Sequence, residues 1–281
     1  MSLGMNSSYE VAGARLAYAE SGAGLPVVFL HPTPVDRRFW RPLLERTAEV
    51  RALTPDFRGH GASELGEGLE AGGFARVQDA PVLTMERLAL DVLALLDARE
   101  IARAVFVGCS IGGYVLLELW RRAPERMRGL GFICSKPQPD TEANRTRRAA
   151  TIARARAGET AAMFDEMANS LVGATARARH AEIVDAVRAQ MTLTSEALVA
   201  VQAGLATRRD SLATVETIDV PVLAIAGGED GAVTVEEMEA LRAAPGGCEF
   251  HAIEDAGHFA AYEQPDVAAG LLSEWLKRFR D

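Results

Sequence analysis

Three observations on this 281-residue chain predict an α/β fold, a mostly parallel eight-stranded sheet with helices on both faces and a helical insertion. Short β-branched runs alternate with longer stretches whose apolar residues fall at helical spacing. A hairpin pattern precedes that alternation. The composition, 48% hydrophobic and 25% charged, suits one large globular domain, and no segment approaches the ~20 apolar residues that span a bilayer.

The elements follow in order. Tyr9-Glu10-Val11, Gly13 and Arg15-Leu16-Ala17-Tyr18 read as two antiparallel strands about a turn. The runs at 27–30, 50–54, 105–107, 130–133, 220–225 and 250–253 supply the remaining strands, and 85–96 and 268–279 carry the helical period. Residues 64–81 are acidic and Gly-rich with little periodicity, which predicts a mobile surface loop or a gate. From Pro137 to about Ile218 the chain is rich in Ala, Arg and Glu, has no proline after Pro139, and shows helical patterns at 162–167 and 181–187. This predicts a core of residues 1–136 and 218–281 with a helical cap at 137–217. In open α/β sheets ligands bind beyond the carboxyl ends of the strands, so an insertion there would roof the site. Met163, Phe164, Met167, Leu171, Met191 and Leu193 are candidates for the roof, the alternative being that they form the insertion's own core.

A formal charge of −9 argues against a nucleic-acid partner, whose phosphates reward basic surfaces. A small molecule is the expected partner, without membrane association, and monomer and homodimer both stay open. Cys109, Cys134 and Cys248 are far apart and lack Cys-x-x-Cys spacing, so neither a disulfide framework nor a metal site is indicated, and no cofactor is expected. The first ten residues lack the apolar core of a secretory signal, which points to a cytoplasmic protein.

The chemistry concentrates at strand ends. Gly108-Cys109-Ser110-Ile111-Gly112 follows the run 104–107 and opens the helical pattern 114–120, which puts Ser110 on a sharp strand-to-helix turn. Glycine two residues to either side lets the backbone turn tightly, and the helix start aims N–H groups at charge developing on an attacked carbonyl. A serine hydroxyl needs a histidine to take its proton and a carboxylate to hold that histidine's tautomer. His258, in the loop after the last strand, is the expected base; His251 lies within a strand and His180 on a solvated helix face. Asp230, flanked by Gly228 and Gly231 after the strand at 220–225, is the expected acid, with Glu229 and Asp255 as rivals. The oxyanion donors are the N–H of Ile111 and, from the loop His31-Pro32-Thr33-Pro34, that of Thr33, since the prolines have none to give.

With these residues placed, the chain resembles the α/β-hydrolase superfamily over nearly its whole length. Asp56-Phe57-Arg58-Gly59-His60-Gly61-Ala62-Ser63 is similar to that superfamily's Asp-x-Arg-Gly-His-Gly-x-Ser segment, in which the histidine is structural. Gly108–Gly113, Gly228-Glu229-Asp230 and Gly257-His258-Phe259 match its other signatures, while Pro32 stands where glycine is common. The resemblance is nearest to the enol-lactonases, cofactor-free haloperoxidases and small esterases with a four-helix cap. It implies a serine hydrolase that cleaves a carboxylic ester or lactone through an acyl-enzyme on Ser110. Transfer of the acyl group to peroxide, carbon–carbon bond hydrolysis and ligand sensing without turnover are the alternatives. His31 and Phe259 join Met163, Phe164 and Met167 as candidate substrate contacts.

Overall fold

The computed structural model describes residues 6–67 and 81–279. Of the segment expected to form a mobile loop or gate, residues 68–80 lie outside the described residues. Asn6–Val11 (β1) and Ala14–Gly22 (β2) form the leading antiparallel hairpin. The other strands are Leu25–Leu30 (β3), Val50–Pro55 (β4), Ala104–Cys109 (β5), Met127–Ile133 (β6), Val222–Gly227 (β7) and Cys248–Ile253 (β8). They form one eight-stranded sheet in the order β1-β2-β4-β3-β5-β6-β7-β8, antiparallel at β1/β2 and β2/β4 and parallel elsewhere. Every residue of β5 and of β7 is buried, as the continuous apolar character of those runs requires of strands covered on both faces.

The helices of the sheet are Arg41–Leu44 (α1), Met85–Ala98 (α2) and Ile111–Arg122 (α3). Six more lie between β6 and β7, where a four-helix cap was expected: Glu142–Arg156 (α4), Thr160–Leu171 (α5), Ala174–Arg179 (α6), Ala181–Arg188 (α7), Ser195–Ala206 (α8) and Leu212–Val215 (α9). The extra pieces are α6 and α9, each under two turns long; α6 is set off by Gly173 before it and by a non-helical His180 that separates it from α7. Helix α8 shows no helical period because nine of its twelve residues are buried, so its apolar residues surround the axis. Val235–Met238 (α10), Ala260–Glu263 (α11) and Pro265–Leu276 (α12) complete the fold. No helix among the described residues is long and apolar enough to cross a membrane.

Buried polar contacts fix the loops at the sheet's carboxyl edge. Arg58 makes a two-pronged ion pair with Asp91 of α2, Nε to Oδ2 at 2.6 Å and a terminal nitrogen to Oδ1 at 3.0 Å, which ties the loop after β4 to a helix. Residues 82–83 lie directly on α8, where the Leu83 N–H donates to the Ala200 carbonyl at 3.0 Å. A Cβ on Gly204 would stand 1.8 Å from the Leu83 carbonyl oxygen. Replacing this mid-helix glycine by alanine gains about 1 kcal/mol of helix propensity, yet the backbone clash outweighs it. Gly204→Ala should lower the melting temperature by roughly 5 °C or more; an unchanged or raised value in a calorimetric scan contradicts this packing.

Candidate active site

Strand β5 delivers the chain to Ser110, which adopts φ 52° and ψ −117° immediately before α3. Positive φ is costly for a residue with a side chain, and here it is held by hydrogen bonds on every side. The Ser110 N–H donates to the Ile133 carbonyl (3.0 Å), and the Ser110 carbonyl accepts from the N–H groups of Gly113 (2.9 Å) and Tyr114 (3.3 Å) and from the Ser135 hydroxyl (2.8 Å). The two glycines of the motif are required by close approach: a Cβ on Gly108 would lie 2.4 Å from the Gly112 carbonyl carbon, and one on Gly112 would lie 2.3 Å from the Leu30 carbonyl oxygen. Ile111 is the first residue of α3, so its N–H has no acceptor within the helix and points with the positive end of the helix dipole.

His258 Nδ1 lies 2.7 Å from Asp230 Oδ2, and both side chains are buried. The other oxygen, Oδ1, accepts from the N–H groups of Ala232 (2.7 Å) and Val233 (3.1 Å). Burial alone would raise the Asp230 carboxyl; the imidazole and these N–H groups outweigh it and hold it below the usual carboxylate range. An ionised Asp230 accepts only, so Nδ1 carries the proton and Nε2 is left with a lone pair. Such a pair can draw a proton from a neighbouring hydroxyl.

The loop that carries His258 is tied down through its backbone. The His258 N–H donates to the Leu171 carbonyl at the end of α5 (2.9 Å). Glu263 accepts from the N–H groups of Gly257 (2.9 Å), Phe259 (3.1 Å) and Gly173 (2.9 Å). Burial pushes its carboxyl up against those donors. The buried Cys109 and Cys134 thiols face the carbonyls of His258 and Gly257 at 3.8 and 3.6 Å, and burial pushes both thiols up. Of the rival acids, Glu229 is turned toward the helices, where it accepts from the N–H (2.8 Å) and hydroxyl (2.6 Å) of Thr175, and Asp255 is exposed.

Two further histidines hold the loop bearing Thr33. His31 Nδ1 is 2.8 Å from the Pro32 carbonyl, and its Nε2 accepts from the Phe57 N–H (3.0 Å). His60 Nδ1 is 2.9 Å from the Arg58 carbonyl, and its Nε2 is 2.9 Å from the Thr33 hydroxyl. In both rings Nδ1 faces a carbonyl and must donate. His31 Nε2 faces an N–H and must accept, so that imidazole is neutral. Complete burial lowers His31 to about 4 and, with the help of the neighbouring His31, lowers His60 to about 3.

A cavity of about 260 Å³ joins these groups. Thr33, Ser110 and His258 line it, with Pro34, Tyr114 and the segment Gly231, Ala232 and Val233. The helices between β6 and β7 add Met167, Ser170 and Leu171, and a polar wall comes from Lys136, Asp140, Asn144, Arg147, Arg148, Gln202 and Arg208. Only some of the expected contacts line it. Met167 and Leu171 reach the cavity, whereas Met163, Phe164, Met191 and Leu193 are buried outside its lining, Phe164 beneath the Arg188 guanidinium at 5.6 Å. His31 packs between Phe57 and His60, ring centroids 4.7 and 5.0 Å away, and Phe259 packs on Phe39 at 5.5 Å; neither lines the cavity. Sequence reasoning missed the charged wall and Glu263. The one available signal was position, since Tyr114 lies a turn beyond Ser110 and Lys136 and Asp140 follow the end of β6.

The alpha/beta hydrolase family profile matches residues 27–271. The chain is 28% identical to 3-oxoadipate enol-lactonase 1 of Acinetobacter baylyi over 89% of this chain and 88% of that one. Among solved structures, a thermophilic esterase from Thermogutta terrifontis superposes with a TM-score of 0.88 at 28% identity, covering 99% of this chain and 100% of the other. The enol-lactonase from Burkholderia xenovorans LB400, at 24% identity, shares the fold with a TM-score of 0.85 over 96% and 100% of the two chains.

The neutral histidines make folding pH-dependent. In the unfolded chain they take up protons near pH 6.5, whereas in the folded protein they resist until about 4 and 3, so stability falls as pH drops from 6.5 toward 4. His60→Gln, which keeps an acceptor for Thr33, should shrink the difference in unfolding free energy between pH 7 and pH 4.5 by about 2 kcal/mol in urea titrations. Equal pH dependence in the two proteins would contradict a neutral buried His60.

Proposed function

The chain belongs to the alpha/beta hydrolase family, and on that premise we propose that it is a serine hydrolase cleaving a carboxylic ester or lactone of a small molecule. The observation that carries the proposal is the 2.7 Å His258–Asp230 contact beside the cavity that Ser110 lines. Ser110 Oγ bonds to the substrate carbonyl carbon as its proton passes to His258 Nε2, and Asp230 stabilises the imidazolium so formed. The oxyanion takes the N–H groups of Ile111 and Thr33. Collapse of the intermediate expels the alkoxide, which recovers the proton from His258 and leaves an acyl-enzyme. Water, deprotonated by His258, then releases the acid and restores the serine.

The cavity volume of about 260 Å³ limits the substrate to a small molecule. The helices of residues 137–217 act in this reading as a cap, with Met167 and Leu171 as its apolar contribution to the site. The three cysteines are free, which suits the reducing cytoplasm in which we place the protein.

Ser110→Ala should abolish hydrolysis of a 4-nitrophenyl ester by a factor of ~10³ or more and prevent labelling by a fluorophosphonate, with the melting temperature little changed. Asp230→Asn should cost a factor of ~10³–10⁴ in kcat, because an amide at that position favours the wrong imidazole tautomer. An alanine variant as fast and as readily labelled as the parent would remove Ser110 as the nucleophile.

A further inference from the structure

The charged wall of the cavity holds more cation than anion. Asp140 accepts from both Arg148 and Arg208, with the longer Arg148 contact at 3.4 Å, so two guanidiniums share one carboxylate. These groups are withdrawn from solvent: the side-chain exposures are 1% for Asp140, 4% for Arg208 and 21% for Arg148. Lys136, also on the wall, is matched by Glu237, and Arg147 bonds the neutral amide oxygen of Asn144. Among the described residues the Arg148–Asp140–Arg208 group therefore carries one unmatched positive charge at the cavity. An uncompensated buried charge is costly, and an anionic group arriving from the cavity relieves that cost.

The guanidiniums are also held in place with donors to spare. The Arg208 plane lies over the Tyr114 ring, 4.3 Å from its centroid, and one terminal nitrogen donates to the Gln138 carbonyl at 2.9 Å. Arg148 is braced by Gln202 at 3.0 Å. These contacts hold the planar forks while using only some of their N–H donors. Tyr114 lies one helical turn beyond Ser110, and Ser110, Tyr114, Arg148 and Arg208 line the same cavity, so one small molecule can meet both the serine and the guanidiniums. The positive wall is a local feature, set into a chain with a net charge of −9.

We infer that Arg208 and Arg148 form an anion subsite, and that the substrate is a small ester or lactone with a second, ionised carboxyl group several bonds from the scissile carbonyl. The inference deepens the serine-hydrolase reading and rests on it. The test compares half-esters with uncharged counterparts: monoethyl succinate against ethyl butanoate, and monoethyl adipate against ethyl hexanoate, followed by pH-stat. For at least one pair the wild-type kcat/KM should favour the half-ester about tenfold or more, mainly through KM, as charge-assisted hydrogen bonds to a carboxylate permit. Arg208→Gln and Arg148→Gln each leave a matched ion pair on Asp140 and should lower that preference about tenfold, while Arg208→Lys restores part of it. If Arg208→Gln melts too low to assay, Arg148→Gln carries the comparison. A wild type without preference for either half-ester, or a preference unchanged in the glutamine variants, overturns the subsite. Fluorophosphonate labelling separates the two levels: a labelled Ser110 with no half-ester preference sinks the subsite alone, whereas an unlabelled Ser110 sinks the hydrolase reading beneath it.

Discussion

The placement of every group around the cavity depends on how closely the first turn of α3 crosses the ends of β3 and β5. At Gly112 the backbone comes so near the Leu30 carbonyl that even one methyl group would overlap it, at 2.3 Å. That crossing forces Ser110 into a positive φ, a conformation worth about 1–3 kcal/mol of strain. The N–H and carbonyl of Ser110 are both saturated, however, by Ile133, Gly113, Tyr114 and Ser135. Each such bond contributes about 1 kcal/mol, enough together to offset the strain. The serine is consequently held by its neighbours, and the helix start faces the same cavity as the loops after β3, β7 and β8.

The second constraint is a pair of rings that never meets the cavity. His31 and His60 stand 5.0 Å apart beneath the loop after β3, and each bridges that loop or the one after β4 through both nitrogens. A proton added to His31 Nε2 would set it against the Phe57 N–H, so burial and hydrogen bonding enforce the same neutral form. His31 belongs to this frame beneath the site, which is why its place beside Thr33 in the sequence did not make it a lining residue.

The fold was legible because strands covered on both faces must be apolar throughout. The runs ending at Leu30 and Ile133 therefore announced strands, and the turn residues after β7 and β8 pointed to Asp230 and His258. Their contact could not be read from the chain, since it depends on the spacing of two parallel neighbours, β7 and β8. Local patterns misled where tertiary packing decides direction. Met163 and Phe164 occupy the same helix as Met167 and Leu171, yet they are buried away from the cavity that the latter two line, Phe164 beneath the Arg188 guanidinium of α7. The Arg148–Asp140–Arg208 group left no trace in the sequence at all, its members being eight and sixty-eight residues from Asp140 along the chain.

The helices between β6 and β7 and the loop of His258 form one hydrogen-bonded unit. Leu171 accepts the His258 N–H, Gly173 donates to Glu263, and Thr175 donates twice to Glu229, the residue next to Asp230. Glu263 in turn collects the N–H groups on both sides of His258, those of Gly257 and Phe259. This segment, which lines one side of the cavity, is thus fastened to the two loops that hold the imidazole and its carboxylate, by bonds made mostly to backbone. The bonds that fasten this insertion to the loops of Asp230 and His258 come from Leu171, Gly173 and Thr175, whereas its share of the charged wall comes from other residues, Asp140, Arg147, Arg148 and Arg208 among them.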